Sequence, residues 1–260
     1  MNHRSCPRCG HRKLWVVQGT RRRCAACRYT FTPRAHGLRV ARTLARRIVT
    51  EFALEHSTNT ILDRVDVSKY RLLKLLTKLR AAMLRDVPPA FSGVVEVDET
   101  YVGGKWRNRR KNARRKATKR GRGTEKQPVF GILCRDGQVW AEVVNGVNAK
   151  DLQPIIEERV RRGSTVVSDG WKGYTGIATK GYVHRLVDHG KGEYSDRKGG
   201  HINGLEGFWG YLKRKLAAKG GIRRERLPLY LGEYVWRYNH RRLSVSERIS
   251  RLLHALFRGS

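Results

Sequence analysis

Two short runs carry the residues best suited to chemistry. They are Val94-Val95-Glu96-Val97-Asp98-Glu99-Thr100-Tyr101 and Ser164-Thr165-Val166-Val167-Ser168-Asp169-Gly170-Trp171-Lys172-Gly173-Tyr174. Each reads as a hydrophobic strand that delivers an aspartate, Asp98 or Asp169, at or near its carboxyl end. An open α/β sheet places its site at such strand ends, and two converging carboxylates can hold Mg²⁺ against a phosphate. A third acid, Glu206, lies near the start of a predicted helix in His201-Ile202-Asn203-Gly204-Leu205-Glu206-Gly207-Phe208-Trp209, 37 positions beyond Asp169. Together Asp98, Asp169 and Glu206 could bind two Mg²⁺ or Mn²⁺ about 3.5–4 Å apart, one at an attacking and one at a leaving oxygen. Hard oxygen ligands suit those ions, and no His/Cys cluster in this region argues for another metal.

Each of these residues has a plainer reading. Asp98 and Asp169 could cap strand ends or pair with local arginines, and Glu206 could be an i,i+4 partner of nearby cations. Glu96 shares a strand face with Asp98 and is a rival acid, whereas Glu99 points to the opposite face. Phe208 and Trp209 read as core, and Cys134 as a small buried hydrophobe. His184, His189 and His201 could approach the acids, without metal-ligand spacing.

A second metal chemistry opens the chain. Cys6-Pro-Arg-Cys9 and Cys24-Ala-Ala-Cys27 are two CxxC pairs separated by fourteen residues. Four thiolates on two knuckles make a closed tetrahedral zinc site of structural type, and a redox dithiol is the weaker alternative. A segment this short has too little core to fold without the metal. Arg8, Arg12, Lys13, Arg21, Arg22, Arg23 and Arg28 surround the knuckles, so the module suits either DNA contact or an architectural role.

The elements that must position these groups follow from periodicity. Lys13–Val17 and Tyr29–Phe31 read as short strands. Helical spacing runs from Arg39 to Arg85, with a stripe of Leu44, Ile48, Phe52 and Leu54, a cap at Ser57, and a basic helix from Tyr70 to Leu84 capped by Ser68. Leu72, Leu73, Leu75, Leu76 and Leu79 are its expected buried face. This order resembles a helix-turn-helix whose last helix enters the major groove. Pro88-Pro89 closes the segment. Beyond it, strands are predicted at Val94–Val102, Pro128–Arg135, Val139–Val144, Thr165–Ser168 and Tyr182–Val187, with helices at Ala149–Val160, Asn203–Ala217, Arg226–Arg242 and Ser246–Phe257. The expected fold class is therefore α/β: an RNase H-like catalytic domain with a mixed five-stranded sheet. The expected domains are a zinc ribbon (1–37), a helical module (38–89), the catalytic domain (90–245) and a C-terminal helix (246–260).

Val97-Asp98-Glu99-Thr100-Tyr101-Val102-Gly103-Gly104-Lys105, Ser168-Asp169-Gly170-Trp171-Lys172-Gly173-Tyr174, the His201–Arg214 block and Tyr230-Leu231-Gly232-Glu233-Tyr234-Val235-Trp236-Arg237-Tyr238-Asn239 resemble motif blocks of bacterial insertion-sequence DDE transposases, in the group with an N-terminal zinc ribbon. That resemblance covers the zinc module and residues 90–245, and is weakest over 38–88. It implies a first acid at Asp98 and a second at Asp169. The third is either Asn203 or Glu206, with Glu206 preferred because a carboxylate binds Mg²⁺ better, and Lys213 matches the downstream basic position. It further implies a DNA transposase that hydrolyses a phosphodiester at the element's end and joins the freed 3′-hydroxyl to target DNA. Two other readings stand beside it: an RNase H-like nuclease without strand transfer, and a non-catalytic zinc-ribbon DNA-binding protein.

Charge narrows the partners. The chain has 260 residues, 56 Lys and Arg against 22 Asp and Glu, and a formal net charge of +34. Such an excess suits nucleic acid. The resemblance implies that this is double-stranded DNA, the terminal inverted repeats and the target. Residues 105–126 alone hold twelve Lys and Arg against one Glu. Within them Arg109, Arg110, Lys111, Arg114, Arg115 and Lys116 are candidate DNA contacts, as are Lys213 and Arg214. No long apolar run or hydrophobic leader is present, so the expectation is a cytoplasmic protein with no membrane contact. The resemblance implies a bacterial, nucleoid-associated protein acting as a homodimer or larger assembly on paired ends.

Overall fold

The computed structural model describes residues 5–19, 21–31, 40–103, 126–187 and 203–258. The six candidate DNA contacts between Arg109 and Lys116 lie outside the described residues, as do His189 and His201. Two compact units divide the chain: Met1–Leu75 with Leu256–Ser260, and Leu76–Ala255.

The first unit begins with three antiparallel strands in the order β1-β2-β3: β1 Leu14–Gln18, β2 Arg21–Cys24 and β3 Thr30–Phe31. β2 was not expected, because Arg21-Arg22-Arg23 has no apolar alternation. It is a strand because it pairs with β1, Leu14 opposite Cys24 and Trp15 opposite Arg23. This sheet buries little: Trp15, Val16, Val17 and Tyr29 are all exposed. Apolar packing alone therefore cannot hold it.

Three helices follow: α1 Arg42–Ala53, α2 Thr58–Arg64 and α3 Lys69–Arg85. Ala45, Ile48, Val49 and Phe52 are the buried stripe of α1, whereas Leu54 falls beyond the helix end and is exposed. Ser57 caps α2 by accepting the Thr60 N–H at 3.1 Å, and Ser68 accepts from Arg71 N at 3.4 Å at the start of α3. Leu72, Leu75, Leu76 and Leu79 are buried, but Leu73 is 42% exposed. The i, i+3, i+4, i+7 stripe excludes it, since it stands a hundred degrees around the helix from Leu72.

The second unit is built on a five-stranded mixed sheet, order β6-β5-β4-β7-β8. Its strands are β4 Val94–Val102, β5 Gln127–Cys134, β6 Val139–Val143, β7 Thr165–Ser168 and β8 Val183–Leu186. β4, β5 and β6 pair antiparallel, while β7 runs parallel to β4, and β8 to β7. The hairpin between β5 and β6 turns at Gly137, whose φ of 85° suits glycine. The helices are α4 Ala149–Arg159, α5 Asn203–Ala217, α6 Leu227–Asn239 and α7 Val245–Arg258. α4 covers one sheet face, where Leu152 and Ile156 meet Val95, Val97, Phe130 and Ile132. α5 and α6 cover the other, where Leu205, Phe208, Trp209 and Leu231 meet Val129, Leu133 and Ala141. Burying both faces explains why β5 is apolar on both sides, whereas β4 is apolar towards α4 and carries Glu96, Asp98 and Thr100 towards α5.

The Tyr230–Asn239 block of α6 is structural. Glu233 accepts from Arg80 at 2.7 Å and from Arg237 at 3.0 Å, all three buried, and Arg80 also stacks on Tyr230. Asn239 donates to the Val139 carbonyl and accepts its N–H, both at 2.8 Å, which satisfies the outer strand β6. Among the described residues, no helix is long and apolar enough to cross a membrane.

Candidate metal-binding active site

β4 and β7 carry the two aspartates. Their parallel register sets Val95 beside Val166 and Glu96 beside Val167. Continued by two residues, it brings Asp98 level with Asp169, which follows the last residue of β7. Asp98 sits opposite Gly131 of β5, on the face that α5 covers. Its carboxyl is pushed up to about 6, chiefly by burial, with the charges of Glu99 and Asp169 adding to the rise while a hydrogen bond from Trp209 opposes it. The two sequence-predicted acids thus lie close enough for one to act on the other.

The loop after β7 is braced at several points. Asp169 Oδ1 accepts the Trp171 N–H at 3.0 Å, and the Trp171 indole donates to the Val147 carbonyl at 2.7 Å. Gly173 lies against that carbonyl, and a Cβ there would stand 2.8 Å from its oxygen. Gln153 of α4 donates to Gly173 O and Thr175 O. Tyr174 is fully buried and donates from its hydroxyl to Glu99 Oε2 at 2.8 Å. Its own ionisation is pushed far upward by burial, by Glu99, and by both aspartates. The fixed loop keeps Asp169 facing the strand end.

Glu206 occupies the first turn of α5 and is exposed, and it is not among the groups that act most on Asp98. Asn203 opens the same helix, with its side chain outside the described part. Lys213 is also exposed. Its ammonium is lowered mainly by desolvation and then by Lys126, while Asp98 pulls the other way, so it lies within electrostatic reach of that acid. Arg214 is exposed beside it.

Residues 90–239 match the ISXO2-like transposase domain. That is more than half of the chain. The chain belongs to the ISXO2-like transposase family. A transposase-like protein of Haemophilus influenzae is 32% identical over 123 residues, which are 47% of this chain and 96% of the relative. A protein in transposable element ISH50 of Halobacterium salinarum is 29% identical over 223 residues, 80% of this chain and 74% of its own length.

In this ISXO2-like transposase two acids of the first motif have roles that strand alternation hid. Glu96, a rival for the metal by sequence, is buried and accepts the Leu205 N–H of α5 at 3.0 Å. Glu99 does face away from Asp98, yet it is only 8% exposed and forms the buried pair with Tyr174. Alternation reports which face a side chain takes, not whether a loop from the next strand reaches it. Trp209, read as core, is core and also donates from its indole to Asp98 Oδ2 at 2.9 Å. His184 approaches the same region without joining the acids: its Nε2 meets Ser168 Oγ at 2.8 Å, one residue before Asp169. Cys134, expected to be a small buried hydrophobe, is half-buried against the core under α4, and its thiol donates to the Ser92 carbonyl.

The cysteines of the first unit make a separate centre. Cys6 Sγ lies 3.6 Å from Cys27 Sγ, Cys9 Sγ lies 3.5 Å from Cys24 Sγ, and all four lie within 4.8 Å of one another. A Zn–S bond of about 2.3 Å implies tetrahedral S···S edges of about 3.8 Å, so the four thiols fit one zinc ion. Among the described residues no other group of three or more His, Cys, Asp or Glu is gathered so closely. The acids offer Mg²⁺ a different fit: hard oxygen donors, Asp98 in the middle of β4 rather than at its expected end and Asp169 just past the end of β7, with Asp98 held at a raised pKa that a cation would relieve.

Proposed function

We propose that the protein is a DDE transposase, its catalytic unit an RNase H-like domain whose metal ligands are Asp98, Asp169 and Glu206, with Asn203 as the alternative third. The observation that carries this reading is that Asp98, midway along β4, stands level with Asp169 just past the end of the parallel strand β7 and within its electrostatic reach, in a member of a transposase family. The fold assignment is supported by the order of the sheet: three antiparallel strands, then a crossover helix, then two strands parallel to the first.

Two Mg²⁺ or Mn²⁺ ions held there would supply Lewis acidity at the attacking and leaving oxygens. The chain's residues prepare that site. Partial burial limits how far water screens Asp98, the Asp169–Trp171 turn fixes the second carboxylate, and Lys213 offers a cation to the DNA backbone. In the first reaction water adds to the terminal phosphodiester. The bond from phosphorus to the 3′ oxygen breaks, and that oxygen leaves as a 3′-hydroxyl. In the second, this hydroxyl loses its proton and attacks a target phosphodiester, forming one P–O bond as another breaks.

In this reading DNA is contacted by cationic side chains: Arg109, Arg110, Lys111, Arg114, Arg115 and Lys116, in the sequence insertion that begins seven residues after Asp98, with Lys213 and Arg214. Assembly as a dimer on paired ends, and residence on the nucleoid, belong to the same reading. The test is cleavage and joining with duplexes taken from the borders of the element. Asp98→Ala should abolish metal-dependent cleavage while duplex binding persists. Cleavage surviving in that variant overturns the site, and cleavage without joining of a pre-cut end to a plasmid marks a nuclease.

A further inference from the structure

Two hydrogen bonds tie α5 to β4. Glu96 Oε2 accepts the Leu205 N–H at 3.0 Å, and Asp98 Oδ2 accepts the Trp209 indole N–H at 2.9 Å. The spacing of the pairs is matched. Glu96 to Asp98 is two residues of strand, an advance of about 6.6 Å, and Leu205 to Trp209 is about one helical turn, an advance of about 6 Å. The helix and the strand therefore advance by nearly the same distance between the two bonds.

Each bond also has a glycine that makes room for it. At Gly131, opposite Asp98, an added Cβ would stand 2.6 Å from Cη2 of Trp209. At Gly204 it would stand 3.2 Å from both carboxylate oxygens of Glu96. Glu96, Leu205 and Trp209 are buried, so water does not compete for the Glu96 bond, while the Asp98 bond is part-buried with its indole donor on the dry side. Glu206 lies between the two attachment points along α5, and Lys213 lies one turn beyond the second.

We infer that Glu96 and Trp209 are positioning residues that lock the register of α5 on β4, and so set where Glu206 and Lys213 stand relative to Asp98. This rests on the metal-site reading above. A slip of one residue along the helix would turn Glu206 by a hundred degrees and break both bonds. Trp209 acts on Asp98 as well: its indole engages Oδ2 and so fixes how the carboxylate is turned. The Glu96 carboxylate serves the free N–H groups at the start of α5, a place where negative charge is favoured, and is not a ligand in the reaction.

The full-length chain can be titrated with Mn²⁺, the free ion read by its paramagnetic resonance, alongside cleavage of an element-border duplex. Trp209→Phe keeps the ring and loses the donor. It should weaken Mn²⁺ binding about tenfold, the scale of one hydrogen bond to a charged group, and lower kcat with the KM for DNA unchanged. Glu96→Ala should do the same, and Glu96→Gln, which keeps an acceptor oxygen, should restore most of the affinity. Wild-type Mn²⁺ affinity in both Trp209→Phe and Glu96→Ala overturns the inference. If Trp209→Phe does not fold, the contrast between Glu96→Ala and Glu96→Gln decides it, equal affinities counting against. Asp98→Asn separates the two levels. If it binds Mn²⁺ like wild type, the metal site itself is misplaced and the inference falls with it. If it loses Mn²⁺ while the positioning variants do not, only the inference fails.

Discussion

Asp98 concentrates the electrostatic tension of the site in one side chain. Its folded pKa of about 6 lies above the ordinary 3.8, because burial and two neighbouring acids disfavour its charge. The folded chain therefore holds this proton more tightly than the unfolded chain does. Below about pH 4 both states are protonated and no penalty exists; stability falls as pH rises towards 6 and then levels. Asp98→Asn removes the charge and keeps an acceptor for Trp209. In metal-free protein it should melt above wild type near pH 8 and level with it near pH 4, a gain on the order of 2–3 kcal/mol. Adding Mn²⁺ should raise the wild-type transition and leave the variant unmoved. Equal melting at both pH values would contradict the burial of this charge.

Between elements, specificity comes from buried polar contacts laid over an apolar core. α6 illustrates it: Glu233 is the shared acceptor of Arg80 and Arg237, and Asn239 closes β6. Glu233→Ala strands two buried cations and should cost about 3–5 kcal/mol in urea denaturation, whereas a surface acid such as Glu225 should cost almost nothing. Gly131→Ala tests close approach between β5 and α5. The added methyl meets the Trp209 ring, so a loss of about 1–3 kcal/mol is expected. A loss no larger than that of Gly207→Ala, on the open side of α5, would mean that the ring moves freely.

Across the whole molecule two physical regimes coexist. The unit Leu76–Ala255 has a layered apolar core, while β1–β3 expose most of their large side chains and gather four thiols. Zinc removal, by chelation or Cys24→Ser, should open the Arg21–Arg23 strand to trypsin and leave the melting transition of the larger unit in place. Survival of the strand without metal would show that packing suffices. The net charge of +34 sets the other expectation. DNA affinity should fall by about 10³–10⁵ between about 50 and 200 mM salt, as for proteins that release six to ten counterions. A flat salt response would argue against a phosphate-tracking surface.

Much of this was legible in the chain itself. Asp98, Asp169 and the cysteine pairs stood out because strand-end carboxylates and CxxC spacing are local patterns, and β4, β7 and α5 fell where apolar periodicity set them. The strand β2 escaped notice because its three arginines become a strand only through β1. Leu73 and Leu54 were misplaced because an unbroken leucine pattern does not say where a stripe ends. The roles of Glu96, Glu99 and Trp209 could not be read in advance. Each depends on a partner 75 to 111 positions away: Glu99 on Tyr174, Glu96 on Leu205 and Asp98 on Trp209. Sequence by itself determined which groups can do the chemistry and which elements carry them. The tertiary structure decided that Glu96 braces α5 while Asp98 lies level with Asp169, because only packing brings the distant partner within a hydrogen bond's length.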